Sequence, residues 1–222
     1  MTRLRFFILW LMGTAAFSAA APRETEAAEP LSLLVLGDSL SAGYGLPQAQ
    51  AFPSVLEQRL INMGWKVKVR NAGVSGDTSA GGLARLTWVL TPRPDAVIVE
   101  LGANDALRGL PPRSTDANLR AIVRTLADKK IPTLLVGMKA PRNLGDSYSM
   151  AFDAIYPAIA RDFDLVFYPF FLEKVALDLR YMQADGMHPN ADGVRRIVND
   201  FLPQAGQLLE RAKPPKSPRR AM

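Results

Sequence analysis

Short apolar runs alternate with amphipathic stretches from residue 31 onward, and this alternation restricts the possible folds more than any other feature. Residues 31–36 and 95–101 are almost continuously apolar, which is typical of strands buried on both faces. Further strands are predicted at residues 65–70, 132–137 and 165–168, and helices at 53–63, 81–90, 114–128, 148–161 and 191–209. This alternation predicts βαβ units with right-handed crossovers. We therefore expect an α/β, three-layer, flavodoxin-like fold with a central parallel five-stranded sheet and helices on both faces.

Local signals refine some of these elements. Residues 65–70 alternate with period two, which indicates a strand near the edge of the sheet. Ser114 or Thr115 is the expected N-cap of the helix at 114–128. Pro157 is expected to bend or interrupt the helix at 148–161.

The N-terminus has the pattern of a secretory signal. Arg3 and Arg5 precede an apolar run of about 12 residues, at 6–17, and small residues follow. That run is shorter than the roughly 20 residues that span a bilayer, which favours a signal peptide over an uncleaved membrane anchor. We predict a signal peptide at 1–20, a linker at 21–30 and one domain at 31–210. The protein should be exported, to the periplasm in a Gram-negative organism and otherwise to the medium.

The basic charge of the chain is concentrated at its ends. Removing Arg3, Arg5 and the five basic residues after Glu210 from the formal net charge of +6 leaves −1 for the body. A nearly neutral body does not support nucleic-acid binding. Residues 211–222 are Pro-rich and cationic, so they are predicted to form a disordered tail. That tail is either simply solvated or makes weak contact with an anionic membrane surface. We expect a monomer.

The chain has no cysteine and a single histidine, His188. This composition excludes cysteine nucleophiles and does not support a metal site. No cofactor is expected.

Four polar segments follow predicted strands or precede the last helix. They lie at 37–41, 71–78, 102–105 and 185–189, where the carboxyl ends of parallel strands place binding sites. Any imidazole base must be His188, and a serine hydroxyl needs such a base to become a nucleophile. Asp185 lies three residues before it and can orient the ring, which leaves the second ring nitrogen for Ser39.

Acyl transfer also requires donors for the tetrahedral oxyanion. The backbone N–H groups of Ser39 and Gly73 and the side-chain amide of Asn104 are the candidates. Candidate substrate-binding residues are apolar or basic side chains on the same loops, which could equally be core or solvated residues: Tyr44, Leu107, Arg108 and Leu110. Three carboxylates beside these positions are expected to bind loop backbone: Asp38, Asp77 and Asp105.

The segments GDSLS, NAGVSGDTSAGG, GAND and DGMHP resemble, in order, the four sequence blocks of the GDSL/SGNH hydrolase family. The resemblance covers about residues 31–209 and is strongest to the bacterial periplasmic acyl-CoA thioesterase I/lysophospholipase L1/arylesterase group. It implies a catalytic triad of Ser39, Asp185 and His188, and an oxyanion hole of Ser39, Gly73 and Asn104. No G-x-S-x-G surrounds a candidate serine, so the nucleophile elbow of the α/β-hydrolases does not apply.

The predicted function is hydrolysis of small acyl esters or thioesters through an acyl-serine intermediate. One alternative keeps the chemistry and changes the substrate to O-acetyl groups on glycans. An alternative of another class is a non-catalytic binding domain that retains the fold.

Overall fold

A computed structural model describes residues 29–213 of the chain. Its five strands are all parallel and lie in the order β2-β1-β3-β4-β5. The strands are β1 (Leu31–Gly37), β2 (Val67–Gly73), β3 (Ala96–Glu100), β4 (Thr133–Val136) and β5 (Val166–Tyr168). The helices are α1 (Ser39–Ala42), α2 (Phe52–Asn62), α3 (Ser79–Val89), α4 (Ala103–Leu107), α5 (Pro112–Asp128), α6 (Asp146–Asp153), α7 (Ile155–Asp162) and α8 (Ala191–Ala212). The predicted three-layer α/β fold is confirmed, with β2 at one edge of the sheet.

Two helical layers cover the sheet. Helix α2 packs against α8, while α5 packs against both α3 and α7. The first layer contains an aromatic cluster in which the Phe52 ring meets Phe171 and Phe201 edge-on, at centroid distances of 5.0 and 5.2 Å. Edge-to-face pairs of this kind stabilise a core beyond the area that they bury.

The register of the three central strands aligns the loops that carry the polar segments. Gly37 at the end of β1 pairs with Gly73 on one side and with Glu100 on the other. The three strands therefore end level, and the segments that follow them emerge side by side. This is the point at which the strand order reverses and where open α/β sheets bind their ligands.

Several predicted boundaries are wrong in detail. Helix α5 begins at Pro112, so Ser114 and Thr115 lie in its first turn instead of capping it. Proline suits the first helical position because its missing N–H would have no partner there. The break between α6 and α7 falls at Ala154, and Pro157 lies in the first turn of α7, where proline is tolerated. Strand β2 begins at Val67, two residues later than predicted.

The last helix continues beyond its predicted end at residue 209. Helix α8 runs to Ala212, so the first residues of the predicted 211–222 tail are ordered. Arg211 donates to the Asp164 backbone carbonyl, and Lys213 pairs with Glu210 at 2.6 Å. The predicted signal peptide at 1–20, most of the linker at 21–30 and the tail from residue 214 lie outside the described residues. Within residues 29–213, no helix has the length and apolar character that a bilayer crossing requires.

Candidate active site

Ser39 is the first residue of α1, directly after β1. The Asp38 side chain caps this short helix by accepting a hydrogen bond from the Leu40 N–H at 2.9 Å. An N-cap of this kind leaves the N–H of the first helical residue free of intrahelical bonds. Ser39 is half-buried and lines a cavity with largely apolar walls.

Asp185 and His188 lie on a tight loop that precedes α8. Met182 and Pro189 pair as an antiparallel bridge, and inside it the Gln183 N–H donates to the His188 carbonyl at 2.7 Å. The Gln183 side-chain amide also donates to the Tyr44 carbonyl at 2.7 Å, which ties this loop to the loop that follows α1. The loop thereby brings His188 next to Ser39 although 149 positions separate them in the sequence.

The three side chains of the predicted triad form one hydrogen-bonded chain. Nε2 of His188 lies 2.9 Å from Oγ of Ser39, and Nδ1 lies 2.6 Å from Oδ2 of Asp185. Oδ1 of Asp185 accepts from the backbone N–H groups of His188 at 3.0 Å and Met187 at 2.9 Å. These bonds, the backbone bond from His188 first, lower the pKa of Asp185 to about 2. Asp185 is therefore an anion at any pH at which the imidazole is neutral.

Tyr44 contacts the candidate base directly. Its ring centroid lies 4.5 Å from that of His188, with an interplanar angle of 34°. Tyr44 is about half exposed and lines the cavity. The tyrosine therefore covers one face of the imidazole and limits the positions that the ring can take.

Asn104 projects from α4 toward the same cavity. Its side-chain amide donates to the Asp77 carbonyl at 2.9 Å and, over a longer 3.2 Å, to Oδ2 of Asp38. Gly102 precedes α4 with φ of +111°, and a Cβ there would meet the Tyr156 hydroxyl at 2.1 Å. That hydroxyl donates to the Leu101 carbonyl at 3.0 Å, so the turn that aims Asn104 requires glycine twice over.

The structure does not bring Gly73 to the cavity as the oxyanion prediction requires. The Gly73 N–H donates to Oδ1 of its neighbour Asn71 at 2.9 Å, and a Cβ on Gly73 would lie 2.3 Å from the Ala42 backbone nitrogen. Gly76, three residues later, lines the cavity instead. Within the described part of the chain its N–H has no hydrogen-bond partner. The direction in which a turn amide points depends on the fold, so the sequence does not show that the Gly73 N–H is turned to Asn71.

A pair of buried carboxyl groups lies directly behind the nucleophile. Asp38 and Glu100 are both fully buried, and Oε2 of Glu100 accepts from the Ser41 hydroxyl at 2.6 Å and the Asp38 N–H at 3.3 Å. The second oxygen of Glu100 has no partner among the described residues. Burial raises the pKa of Asp38 to about 6 and the pKa of Glu100 well above its ordinary range, and the Asp38 charge raises the latter further.

Of the other two carboxylates, Asp105 binds backbone as predicted, whereas Asp77 binds a side chain on α3. Asp77 forms an ion pair with Arg85 at 2.6 Å. Asp105 is buried and accepts from the Ser79 N–H at 2.7 Å, from the Ser79 hydroxyl and from the Thr115 hydroxyl at 3.1 Å. Asp105 thus joins the starts of α3 and α5 to α4, the helix that carries Asn104.

Beside Ser39 and His188 lies a cavity of about 420 Å³ with largely apolar walls. Of the four predicted substrate-binding residues, Tyr44 and Leu107 line it, whereas Arg108 and Leu110 are not among its lining residues. The rest of its apolar wall was not predicted, and its members follow β4 and β5: Met138, Phe170, Leu172, Ala176, Met182 and Met187. They carry no motif, and only the position of their loops could have indicated them. Within residues 29–213, no cluster of three or more His, Cys, Asp or Glu residues could hold a metal ion.

Comparison with known proteins gives a consistent result. Residues 35–196 match the GDSL-like lipase/acylhydrolase family. The chain is 46% identical to the thioesterase 1/protease 1/lysophospholipase L1 of Escherichia coli K12, over 80% of this chain and 84% of that protein. It is 40% identical to esterase TesA of Pseudomonas aeruginosa, over 83% and 92% respectively. Among solved structures, the SGNH-hydrolase family esterase AlinE4 superimposes with a TM-score of 0.70 at 45% identity, over 82% of this chain and 98% of that one.

Proposed function

Because the chain belongs to the GDSL-like lipase/acylhydrolase family, we propose that Ser39, His188 and Asp185 carry out the ester hydrolysis that is characteristic of this family. The protein is a serine esterase. The observation that carries the assignment is the unbroken chain of short contacts, 2.9 Å from Ser39 to His188 and 2.6 Å from His188 to Asp185. This geometry meets the requirement for an activated serine, with a base within hydrogen-bond reach and a third group orienting the base.

Each proton in the two-step reaction has a defined place. Nε2 of His188 removes the Ser39 hydroxyl proton as Oγ attacks the acyl carbonyl carbon. The same nitrogen returns that proton to the leaving alcohol or thiol as the carbonyl re-forms and the acyl-serine is left. Water then attacks the acyl-serine, again giving its proton to His188, and the acid leaves as the Ser39 hydroxyl is restored. The Asp185 anion holds the Nδ1 proton and stabilises the imidazolium in both steps.

We assign the oxyanion donors to the Ser39 N–H, the Gly76 N–H and the Asn104 side-chain amide. This replaces Gly73 in the sequence-based prediction, because the Gly73 N–H is already bonded to Asn71. The Asn104 amide has two hydrogens. One is bonded to the Asp77 carbonyl at 2.9 Å, and the other, which makes the longer 3.2 Å bond to Asp38, is the one that we assign to the oxyanion. Loss of a single donor of this type typically lowers turnover by about 10² to 10³.

The substrates we propose are esters or thioesters with an acyl chain longer than acetyl. The support is the apolar wall of the 420 Å³ cavity, which an acetyl group would leave largely empty. The names of two relatives, a thioesterase/lysophospholipase and an esterase, are consistent with an ester or thioester as the substrate. A glycan O-acetyl substrate would instead call for polar groups around a small pocket.

The test of the site is labelling by a fluorophosphonate, which transfers its phosphorus to an activated serine and loses fluoride. Wild type should be labelled, and Ser39→Ala and His188→Ala should not. Ser75→Ala is the matched control, because Ser75 is a second serine in the cavity wall and its loss should leave labelling intact. Folded wild type that resists the probe, or labelling that is lost with Ser75, would overturn the assignment.

The substrate range is tested with p-nitrophenyl esters of increasing acyl length and with matched acyl thioesters. We expect kcat/KM to rise from acetyl to medium-length chains, because added methylenes enter the apolar wall. A profile that is highest for acetyl, together with release of acetate from an acetylated polysaccharide, would support the glycan alternative.

We also propose that the protein is exported through residues 1–20. The support is the cationic start and the apolar run of about 12 residues. A mature N-terminus at Ala21, found by mass spectrometry of the protein from the periplasm or medium, is the expected result. Retention of Met1 in a membrane fraction would instead support an uncleaved anchor.

The point at which the basic tail leaves the described structure, Lys213, lies far from the active site. The seven residues of β1 lead from Leu31 to the Ser39 loop, a distance of about 20 Å at the usual rise of a strand. Lys213, the last described residue, lies over the Trp65 ring at the end of the sheet where the strands begin. We therefore expect deletion of residues 214–222 to leave turnover of dispersed substrates unchanged.

A further inference from the structure

Arg108 contacts the turn that carries Gly76, not the cavity. Its Nη2 donates to the Gly76 carbonyl oxygen at 2.7 Å, although the side chain is otherwise exposed. The sequence analysis placed Arg108 among the substrate-binding residues. Its observed partner is a backbone group of the protein, next to an amide that we have assigned to the oxyanion hole.

The turn at 74–77 depends on such outside contacts. Its only internal backbone bond among the described residues joins the Asp77 N–H to the Val74 carbonyl at 3.0 Å, and Val74 is about half exposed. Two consecutive carbonyls, those of Gly76 and Asp77, accept from Arg108 and from Asn104 respectively. The two donors flank a single helical turn, so α4 holds this turn at two points.

Helix α4 is itself anchored in the core, which makes it a rigid base for the contact. Asp105 is buried within it and binds the starts of α3 and α5. The Arg108 N–H closes the helix by donating to the Asn104 carbonyl at 3.1 Å. The guanidinium therefore extends from a fixed backbone to the Gly76 carbonyl, while the ends of the turn are held by the Val74 N–H bond to Gly37 and by the Asp77–Arg85 ion pair.

We infer that Arg108 is a positioning residue: by holding the Gly76 carbonyl it fixes the conformation of the turn in which the adjacent Gly76 N–H faces the oxyanion. This inference rests on the proposed function, because it takes the Gly76 N–H to be a donor in the transition state. A donor must lie about 2.7–3.1 Å from the oxyanion to be effective, so a loosened turn weakens it without abolishing it. A charge-assisted bond from a planar guanidinium restrains a carbonyl more firmly than a bond between neutral groups.

The test compares Arg108→Met with Arg124→Met, which removes an exposed arginine from α5. The substrate is p-nitrophenyl butyrate, which has no charged head group for an arginine to bind. In Arg108→Met we expect kcat to fall about tenfold, a fraction of the loss of a whole donor, with KM changed less than twofold. The rate of fluorophosphonate labelling should fall in parallel, because the phosphoryl oxygen occupies the same hole. Arg124→Met should match wild type in both measurements.

Two further variants separate positioning from general structural support. Guanidinium ion added to Arg108→Ala should restore part of kcat and should leave wild type and Arg124→Met unaffected. Arg108→Lys should recover less than full activity, since a lysine keeps the charge but offers no planar fork. A merely structural role would lower the thermal midpoint of all the Arg108 variants together and would show no rescue.

Failure of this inference is distinguishable from failure of the proposed function. Wild type that is labelled at Ser39, with Arg108→Met labelled at the same rate and kcat within twofold, would overturn the positioning role alone. A rise in KM restricted to substrates with an anionic head group would likewise overturn it, in favour of substrate binding. Wild type that is not labelled at all would remove the proposed function, and this inference with it.

Discussion

Two aspartates with nearly the same burial lie beside the active site, and their surroundings differ. Asp105, next to Asn104, is 1% exposed and receives three hydrogen bonds, two from Ser79 and one from Thr115. Asp38, next to Ser39, is fully buried but receives only two. It also lies against a second buried carboxyl group, Glu100, and its own burial raises its pKa to about 6.

The difference indicates what each carboxylate does. Both oxygens of Asp105 are bonded to groups at the starts of α3 and α5, so loss of this side chain should lower the free energy of unfolding. Asp38 is held less completely, and one of its two bonds goes to Asn104, a proposed oxyanion donor. Incompletely satisfied buried charges are costly, and sites that retain them are commonly functional. We therefore expect substitutions at Asp105 to lower stability and substitutions at Asp38 to lower activity.

The largest expected effect is on the stability of Asp105→Ala. The substitution leaves the buried Ser79 N–H, the Ser79 hydroxyl and the Thr115 hydroxyl without an acceptor, at a cost of about 3–5 kcal/mol in unfolding free energy. Urea denaturation followed by circular dichroism measures it.

Asp116→Ala on α5 is the control for Asp105→Ala. It removes a solvent-accessible carboxylate that pairs with Arg120 and should cost less than about 1 kcal/mol. Asp105→Asn keeps one acceptor oxygen, so its loss of unfolding free energy should lie between those of Asp105→Ala and Asp116→Ala. This variant can be measured if Asp105→Ala does not fold. Asp105→Asn as stable as wild type would remove the framework role.

The second expectation concerns the pH dependence of stability at Asp38. Its pKa rises from an ordinary value of 3.8 to about 6 in the folded protein. Between these values the folded state binds more protons than the unfolded state, so the contribution of this group to stability falls as pH rises. The loss of unfolding free energy that comes from ionising Asp38 is absent below about pH 4 and complete above about pH 6. It amounts to at most about 3 kcal/mol.

Asp38→Asn removes this titration and isolates its effect. Urea denaturation at pH 4 and pH 7 should show the variant gaining stability relative to wild type at the higher pH. A difference between the two proteins that stays constant from pH 4 to pH 7 would contradict the raised pKa.

Most residues of this site could be predicted from the sequence, because their placement depends on the order and direction of the strands. The carboxyl ends of parallel strands meet at one edge, so Ser39 and Asn104 could be placed together without a structure. His188 followed from being the sole histidine, and Asp185 from its spacing.

The sequence could not show the direction in which individual side chains and backbone amides point. Asp38 and Asp105 look equivalent as sequence, each an acid beside a proposed catalytic residue. Their difference comes from the partners that the fold supplies. Asp105 accepts hydrogen bonds from Ser79 and Thr115. Asp38 accepts from Leu40 and Asn104 and lies against Glu100, which is 62 positions away in the chain. The sequence also does not distinguish Gly73 from Gly76, since spacing does not show which of these two glycines lines the cavity.

The third expectation is the activity of Asp38→Asn. Asparagine is a good N-cap, so its oxygen can still accept from the Leu40 N–H. Its amide would then face the amide of Asn104 where a carboxylate oxygen now accepts, and two donors would repel each other. We expect kcat at pH 8 to fall about 10- to 100-fold with KM little changed.

Asp95→Asn is the matched control for this loss of activity. Asp95 accepts from the Ser32 N–H at 2.8 Å, at the end of the sheet remote from the cavity. Its variant should keep wild-type kcat. Equal turnover in Asp38→Asn and wild type would show that Asn104 is held without Asp38.

The smallest expected effect is that of Glu100→Gln, and it determines which member of the carboxyl pair carries the charge. Burial and the neighbouring Asp38 charge raise the pKa of Glu100 well above its ordinary range, which favours the neutral acid at this position. Glutamine has the same shape and charge, and its oxygen can accept from the Ser41 hydroxyl and the Asp38 N–H as Glu100 does now. We expect unfolding free energy to change by less than about 1 kcal/mol and kcat by less than twofold at pH 7. Glu100→Ala, which removes the acceptor, should cost more than the glutamine variant. A loss from Glu100→Gln as large as that from Glu100→Ala would place the negative charge on Glu100 and make Asp38 the neutral partner.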